Sequence, residues 1–403
     1  MTTTATTPHE RAVRRALVVL CITEIVAWGV LYYAMPVAAE PMARETGWSQ
    51  SSIFGAYSAG LVVSAFVGVP LGWLLERRGP RYLMTGGALL VVPCLVVIAT
   101  AESIVQLTIG WLLAGIVMPT LFYQAAFTAC AGWMGENRVK GITAVTVAGG
   151  VSSTIFAPLT SWLLGQFHWR TTWLILAGLL AVILVPLHWF FLTPPWNPVH
   201  RDDAKAAPVG PIVRSPRYLA LSASITVFIF GGFAVCLTIV SLMTERGFSH
   251  SFGATVLGVI GIGQLVGRLG FSRFGVGRAR TVRNMVIVWG FVGGTLLFVF
   301  VSGPAWLMVP FAVLLGASRG AGTLMHATMV VDIWGPERYG ALIGVFTMPI
   351  TLAQAIAPWA GAALAAQLGS FRAMDAMVAG LIALSAIGIY LSSRNAPHAA
   401  TGR

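Results

Sequence analysis

Three ionisable residues are clear cases of a charge inside a long apolar run, where it is costly and usually faces a polar interior. Arg268 stands in "GQLVGRLGF", Arg319 in "GASRGAGTLMH" and Glu24 in "CITEIVAW". A guanidinium in such a setting suits a carboxylate, which it meets with a planar fork of donors. Gln264, one helical turn before Arg268, is placed to orient it. The competing reading for Arg268 is snorkelling to the membrane edge beside Arg273. Arg319 lies too deep to snorkel easily and has small and polar neighbours. It is expected to line a cavity, with a structural ion pair or a bond to helix carbonyls as the alternative.

Glu24 lies roughly 12 Å along a helix axis at 1.5 Å per residue, with Trp28, Leu31 and Met35 following on the same face. It could carry a proton, pair with Arg268 or Arg319 as a gate, or stay permanently paired or protonated. His326 follows Arg319 on one helix face and could shuttle protons, or serve as a hydrogen-bonded structural histidine. Trp28, Tyr32 and Tyr123 offer polar aromatic groups to a cavity, unless the tyrosines are interfacial anchors. Two positive charges against one negative favour an anionic over a cationic small-molecule partner.

The sequence holds no Ser/His/Asp set, no "GxxxxGK[ST]" and no His/Cys pair at metal spacing. An enzyme, a cofactor and a metal site are therefore not expected. Cys21, Cys94, Cys130 and Cys236 fall in or beside apolar runs and read as small apolar filler.

These residues need a scaffold. The 403 residues are 57% hydrophobic and 9% charged, with a mean hydropathy of +0.82. Apolar runs of about 20 residues recur throughout, enough to cross about 30 Å of hydrocarbon. Twelve spans are expected, at 16–39, 51–75, 82–100, 104–132, 139–165, 171–192, 217–243, 251–274, 281–301, 304–331, 338–366 and 372–392. The fold class is all-α, polytopic and embedded in the lipid bilayer. The net charge of +12 is dispersed over short loops, which argues against nucleic acid. With the N-terminus inside, 19 of the 25 basic residues fall in inner segments and four in outer loops. That bias predicts both termini in the cytoplasm and a place in the cell's inner, cytoplasmic membrane. "MTTTATTPHERAVRR" reads as a cytoplasmic tail and not as a signal peptide.

The segment 193–216 has six prolines and reads as a linker that is neither helical nor buried. It separates an N-terminal six-helix bundle at 1–192 from a C-terminal bundle at 217–403. The halves repeat: Gly135 and Arg138 recur as Gly335 and Arg338, and Ala157–Pro158 recurs as Ala357–Pro358. "QFHWR" ending at Arg170 has a counterpart in "LGSFR" ending at Arg372. Two parallel repeats follow.

"GWLLERRGPR", Gly72 to Arg81, closely resembles the loop between helices 2 and 3 of the major facilitator superfamily, with Glu76 where the family usually has Asp. The second copy, "LGFSRFGVGRARTVR", lacks the acid and has Phe274 there. "FHWRTTW" and "APWAGAAL" extend the likeness over essentially the whole chain. The resemblance implies a secondary transporter with a site near the midplane between its halves. It assigns gating to Glu76, Arg77, Arg81, Arg138, Asp332 and Arg338, with simple interfacial solvation as the alternative for Asp332. Within the superfamily, "WMGENRVKGITAVTVAGG" and "VVDIWGPERYGALIGVF" are similar to monocarboxylate transporters and oxalate–formate antiporters. In those relatives a helix 8 arginine binds the substrate carboxylate, and Arg268 is the matching position. Gln264 replaces their acid one turn earlier, and their helix 1 lysine has no counterpart. The expectation is a monomeric carrier of a small organic anion working by alternating access, with proton coupling as an option through Glu24. The alternatives are efflux of drug-like apolar compounds and a non-transporting membrane sensor. Trp111 stands before Gly115 where many drug exporters have arginine.

Overall fold

The computed structural model describes residues 8–196, 210–271, 278–335 and 339–394. Every regular element among them is helical, as the bilayer demands of a chain whose backbone groups must be satisfied within each segment. Twelve helices are long and apolar enough to span. We number them α1 (His9–Thr46), α2 (Gln50–Arg78), α3 (Pro80–Ala99), α4 (Ile104–Met134), α5 (Lys140–Gln166) and α6 (Trp169–Phe191). The second set is α7 (Pro216–Glu245), α8 (His250–Phe271), α9 (Arg278–Phe300), α10 (Met308–Trp334), α11 (Tyr339–Leu368) and α12 (Phe371–Arg394). The chain divides into two compact units, Met1–Arg201 and Asp202–Arg403, each described by itself below.

The units use the same local devices 200 positions apart. Gly47 and Gly247 both take a left-handed backbone, with φ 74° and 83°, as the αL termination of a helix favours. Ser49 and Ser249 then cap the next helix, accepting from Ser52 N and Phe252 N. These are the side-chain caps that relieve free N–H groups at a helix start.

In the first unit α2 lies against α4 so closely that a Cβ on Gly60 would strike the Trp111 backbone, and one on Gly115 would strike Gly60. In the second unit α8 and α10 interlock more extensively. A Cβ on Gly263, Gly267, Gly316 or Gly320 would collide with the backbone of Val313, Ala317, Ile260 or Gln264 respectively. Small residues let membrane helices meet backbone to backbone.

Three helices of the first unit are interrupted. α1 widens into a π-turn at Gly29–Tyr33, where Gly29 faces the Phe156 ring with no room for a Cβ. Glu24 and Trp28 precede this turn and share one face, as expected, with a hydrogen bond between them; the expectation that Leu31 and Met35 continue that face assumes an unbroken 3.6-residue period, which the turn interrupts. α4 tightens to 3₁₀ at Met118–Thr120 around Pro119. α5 breaks at Val151, between Arg138–Gly150 and Ser152–Gln166.

The expectation for 193–216 needs correction at both ends. Trp196 is packed into the first unit: its ring meets Trp133 at a centroid distance of 6.1 Å, and its Nε1 donates to Glu76 O at 2.9 Å. It occupies a slot that Cβ atoms on Gly79 and Gly132 would fill. At the other end Gly210–Val213 forms a short helix. An indole finding an apolar slot outweighs the local prolines at the first point. Residues 197–209 lie outside the described residues.

Candidate functional site

In the first unit Glu24 is fully buried, at 0% exposure. Trp28 Nε1, one turn on, donates to Glu24 Oε2 at 2.8 Å. Glu24 Oε1 has no hydrogen-bond partner among the described residues. Trp28 is held by aromatic neighbours: Phe122 stacks on it at 4.4 Å, Tyr123 lies at 4.8 Å and Tyr32 at 5.0 Å. The cluster continues through Tyr32 to Tyr57 and from Tyr57 to Trp111. Tyr57 Oη donates to Tyr32 O at 3.3 Å, and Tyr123 Oη donates to Thr146 O at 3.4 Å. Gly149 makes room for the Tyr123 hydroxyl. The helix interruptions therefore lie beside this group: the π-turn carries Tyr32, and the 3₁₀ segment leads into Phe122 and Tyr123. The result is a buried acid beneath a wall of packed rings.

In the second unit the α8–α10 interlock sets the polar residues. Gly320 meets the Gln264 backbone and Gly267 meets Ala317, so Gln264 and Arg268 on α8 are fixed beside the segment of α10 that carries Arg319. Gln264 is buried at 3% exposure, and its Nε2 has no hydrogen-bond partner among the described residues. Arg319 is buried at 6% and lies over the Phe233 ring of α7 at 4.3 Å, a cation–π contact. Arg268 is half-buried. His326, two turns along α10 from Arg319, stacks on Phe346 at 6.2 Å.

The residues expected to gate fall into three situations. Arg81 is tied to α6: its Nε donates to Trp189 O at 3.0 Å, and its guanidinium lies 5.1 Å from the Trp189 ring. Glu76 is half-buried, while Arg77 and Arg138 are exposed. Asp332 pairs with Arg283 at 3.5 Å and Arg280 at 3.6 Å, and Arg283 also lies 4.3 Å from the Phe271 ring. Arg338, Arg273 and Phe274 lie outside the described residues.

Sequence reasoning missed one charge. Asp375, in α12, is fully buried at 0% exposure. It adds a second buried acid to Glu24, beside the buried Arg319 and Arg283 and the half-buried Arg268. Asp375 stands only four residues into α12 and three inside the expected span 372–392, close enough to the edge to pass as an interfacial charge. Phe122 and Phe233, which hold Trp28 and Arg319, carry no sequence signal that separates them from other apolar residues.

A helical chain of twelve spans, with polar residues set inside each half, has the build of a membrane carrier. The model of the Major Facilitator Superfamily matches residues 20–304, and the chain belongs to that family: it is a multi-pass membrane transporter. Monocarboxylate transporter 13 of Rattus norvegicus is 25% identical over 379 residues, covering 91% of this chain and 84% of the relative. Multidrug resistance protein MdtG of Salmonella arizonae is 24% identical over 379 residues, covering 91% and 92%. Among solved structures, an inward-facing bacterial homolog of the human lysosomal transporter Spinster superposes with a TM-score of 0.73 at 14% identity, covering 97% of this chain and 98% of that one. The nucleoside transporter NupG gives 0.74 at 15% identity, covering 94% and 99%.

Proposed function

We propose that the chain carries a small organic anion, a carboxylate, across the cytoplasmic membrane by alternating access, with both termini in the cytoplasm. The observation that supports this reading is the glycine interlock of α8 and α10, which sets the α8 segment carrying Gln264 and Arg268 beside the α10 segment carrying the buried Arg319. Two guanidinium groups on a rigid seam can receive a carboxylate at little ordering cost. The relatives named as monocarboxylate transporters support the same class. Glu24 is the proton-linked carboxyl in this reading. His326 assists it, and Glu76, Arg77, Arg81, Arg138, Asp332 and Arg338 form state-dependent contacts at the inner face.

The test is uptake of a panel of labelled carboxylates into proteoliposomes, with and without a pH gradient. Arg268→Ala and Arg319→Gln should each lower carboxylate flux by at least about tenfold, the loss expected when a charged hydrogen bond is removed. Flux unchanged in Arg268→Ala rejects the anion site. A second reading, efflux of apolar compounds, is favoured by the ring wall around Trp28 and by the MdtG relatives. Extrusion of a cationic dye without carboxylate flux would select it.

A further inference from the structure

Asp375 has no role in the reading above, yet its surroundings are unusual. It is fully buried, and neither carboxylate oxygen has a hydrogen-bond partner among the described residues. The donors nearest in sequence are committed elsewhere. Phe371 N and Arg372 N donate to Glu245, at 2.6 and 3.3 Å. Ala373 N donates to Ser370 Oγ at 3.0 Å, and Met374 N donates to Ser370 O at 3.2 Å. Arg246 closes the end of α9 by donating to the carbonyls of Phe298 and Val301.

An ionised carboxyl taken from water with no donor costs several kcal/mol. A group placed here for packing alone would be apolar, and the repeat supplies the comparison. Aligning Arg170 with Arg372 sets Trp173 opposite Asp375. Trp173 is buried and packs on Trp111 at 5.6 Å, so the fold can fill this position with an indole.

Charged and titratable groups around Asp375 are few. On α7 they are Cys236 and, at the helix end, Glu245, which acts on Asp375 directly. Arg246 follows, and α12 itself adds Arg372. Residues 286–300 of α9 and 342–368 of α11 carry none. Arg319 on α10 and Asp375 each act electrostatically on the Cys236 thiol of α7, so one side chain lies within reach of both charges.

We propose that Asp375 is a proton-binding site of the C-terminal half. A proton from the adjoining aqueous phase forms one O–H bond on a carboxylate oxygen, taking the group from a charge of −1 to neutral. It leaves when water reaches the junction of α7, α9 and α12. Its coupling rests on the anion-carrier reading: an anion bound in the same half makes that half more negative, which favours the neutral carboxyl, so anion and proton bind together.

The test needs no substrate, so it fails or succeeds apart from carboxylate flux. The chain has four aspartates, Asp202, Asp203, Asp332 and Asp375. The first two stand in the polar segment between the halves, and Asp332 is ion-paired. Protein labelled with carboxyl-¹³C aspartate and reconstituted in liposomes is examined by infrared spectroscopy. The isotope-shifted C=O stretch of a protonated aspartic acid should be present near neutral pH. It should fall at least roughly twofold as pH is raised from about 6 to about 9, and be lost in Asp375→Asn. Asp375→Glu removes the labelled group while keeping a carboxyl, and serves if the Asn variant does not fold. Absence of the band at every pH overturns the proposal. So does a band that does not respond to pH, which marks a fixed structural acid, or a band that persists in the variants.

Discussion

The α8–α10 interlock makes a sharp prediction, because the same change, glycine to alanine, should have opposite effects at two places in one half. A Cβ on Gly267 falls onto the Ala317 backbone, well inside the 3.0 Å that real Cβ contacts do not cross. Backbone cannot swing aside as a flexible side chain can. Gly267→Ala must therefore part α8 and α10 by on the order of 1 Å, opening neighbouring approaches at Gly263 and Gly320 as well. Overpacking of this kind costs about 1–3 kcal/mol. At roughly 2–4 °C per kcal/mol for a unit of this size, the melting temperature should fall by about 2–12 °C. A Cβ on Gly293, within α9, would meet nothing within 4 Å. Alanine there gains helix propensity of up to about 1 kcal/mol and should hold or raise the melting temperature. The assay is thermal denaturation of the purified protein in detergent, read as the fraction remaining monodisperse after heating. If Gly267→Ala melts at or above the wild-type temperature, the close approach does not exist and the rigid seam beneath Arg268 and Arg319 goes with it.

Three further outcomes follow from single contacts. Trp28→Phe removes the donor to Glu24 and should destabilise the protein by about 1–3 kcal/mol; a cycle with Glu24→Gln, read by melting, should show coupling of at least about 0.5 kcal/mol. Asp332→Asn leaves the buried Arg283 without its carboxylate and should cost about 1–3 kcal/mol, less than a fully buried pair because Asp332 is partly exposed; Arg283→Met in the Asp332→Asn background should recover stability in the same melting assay. Trp196→Ala empties the slot between Gly79 and Gly132 and frees Glu76 O from its donor, and limited trypsin digestion should then cleave between the halves at least about tenfold faster if the anchor is worth about 1.4 kcal/mol or more.

Much of the fold is legible in the sequence because hydrophobic length and loop charge report it directly. Twelve apolar runs become twelve helices, as α3 and α6 show: each follows its expected span within a few residues. Arg268, Arg319 and Glu24 are legible for the same reason, since a charge within an apolar run stands out. The rest depends on packing, which periodicity does not encode. The π-turn at Gly29–Tyr33 arises where Phe156 presses on a glycine, a contact between residues far apart in the chain. Trp196 lies in a stretch whose prolines argue for exposure, and only the slot between two distant glycines draws it in. Asp375 looks solvated from the sequence because it stands near a loop; its burial comes from packing that the sequence pattern does not show.

The two units place their polar residues on scaffolds of different stiffness. In the second unit, four glycines on α8 and α10 set backbone against backbone around Gln264, Arg268 and Arg319. In the first, a single glycine pair joins α2 to α4, while α1, α4 and α5 are each interrupted beside Glu24, Trp28 and Tyr123. A π-turn or a 3₁₀ step can return to regular helix at modest cost, and each such change would turn a ring of the wall by tens of degrees about its helix axis. Close-packed glycine seams have no comparable alternative, since any rotation drives a side chain into the neighbouring backbone. The proposed anion site therefore sits on the rigid unit, where a guanidinium pair gains from fixed geometry.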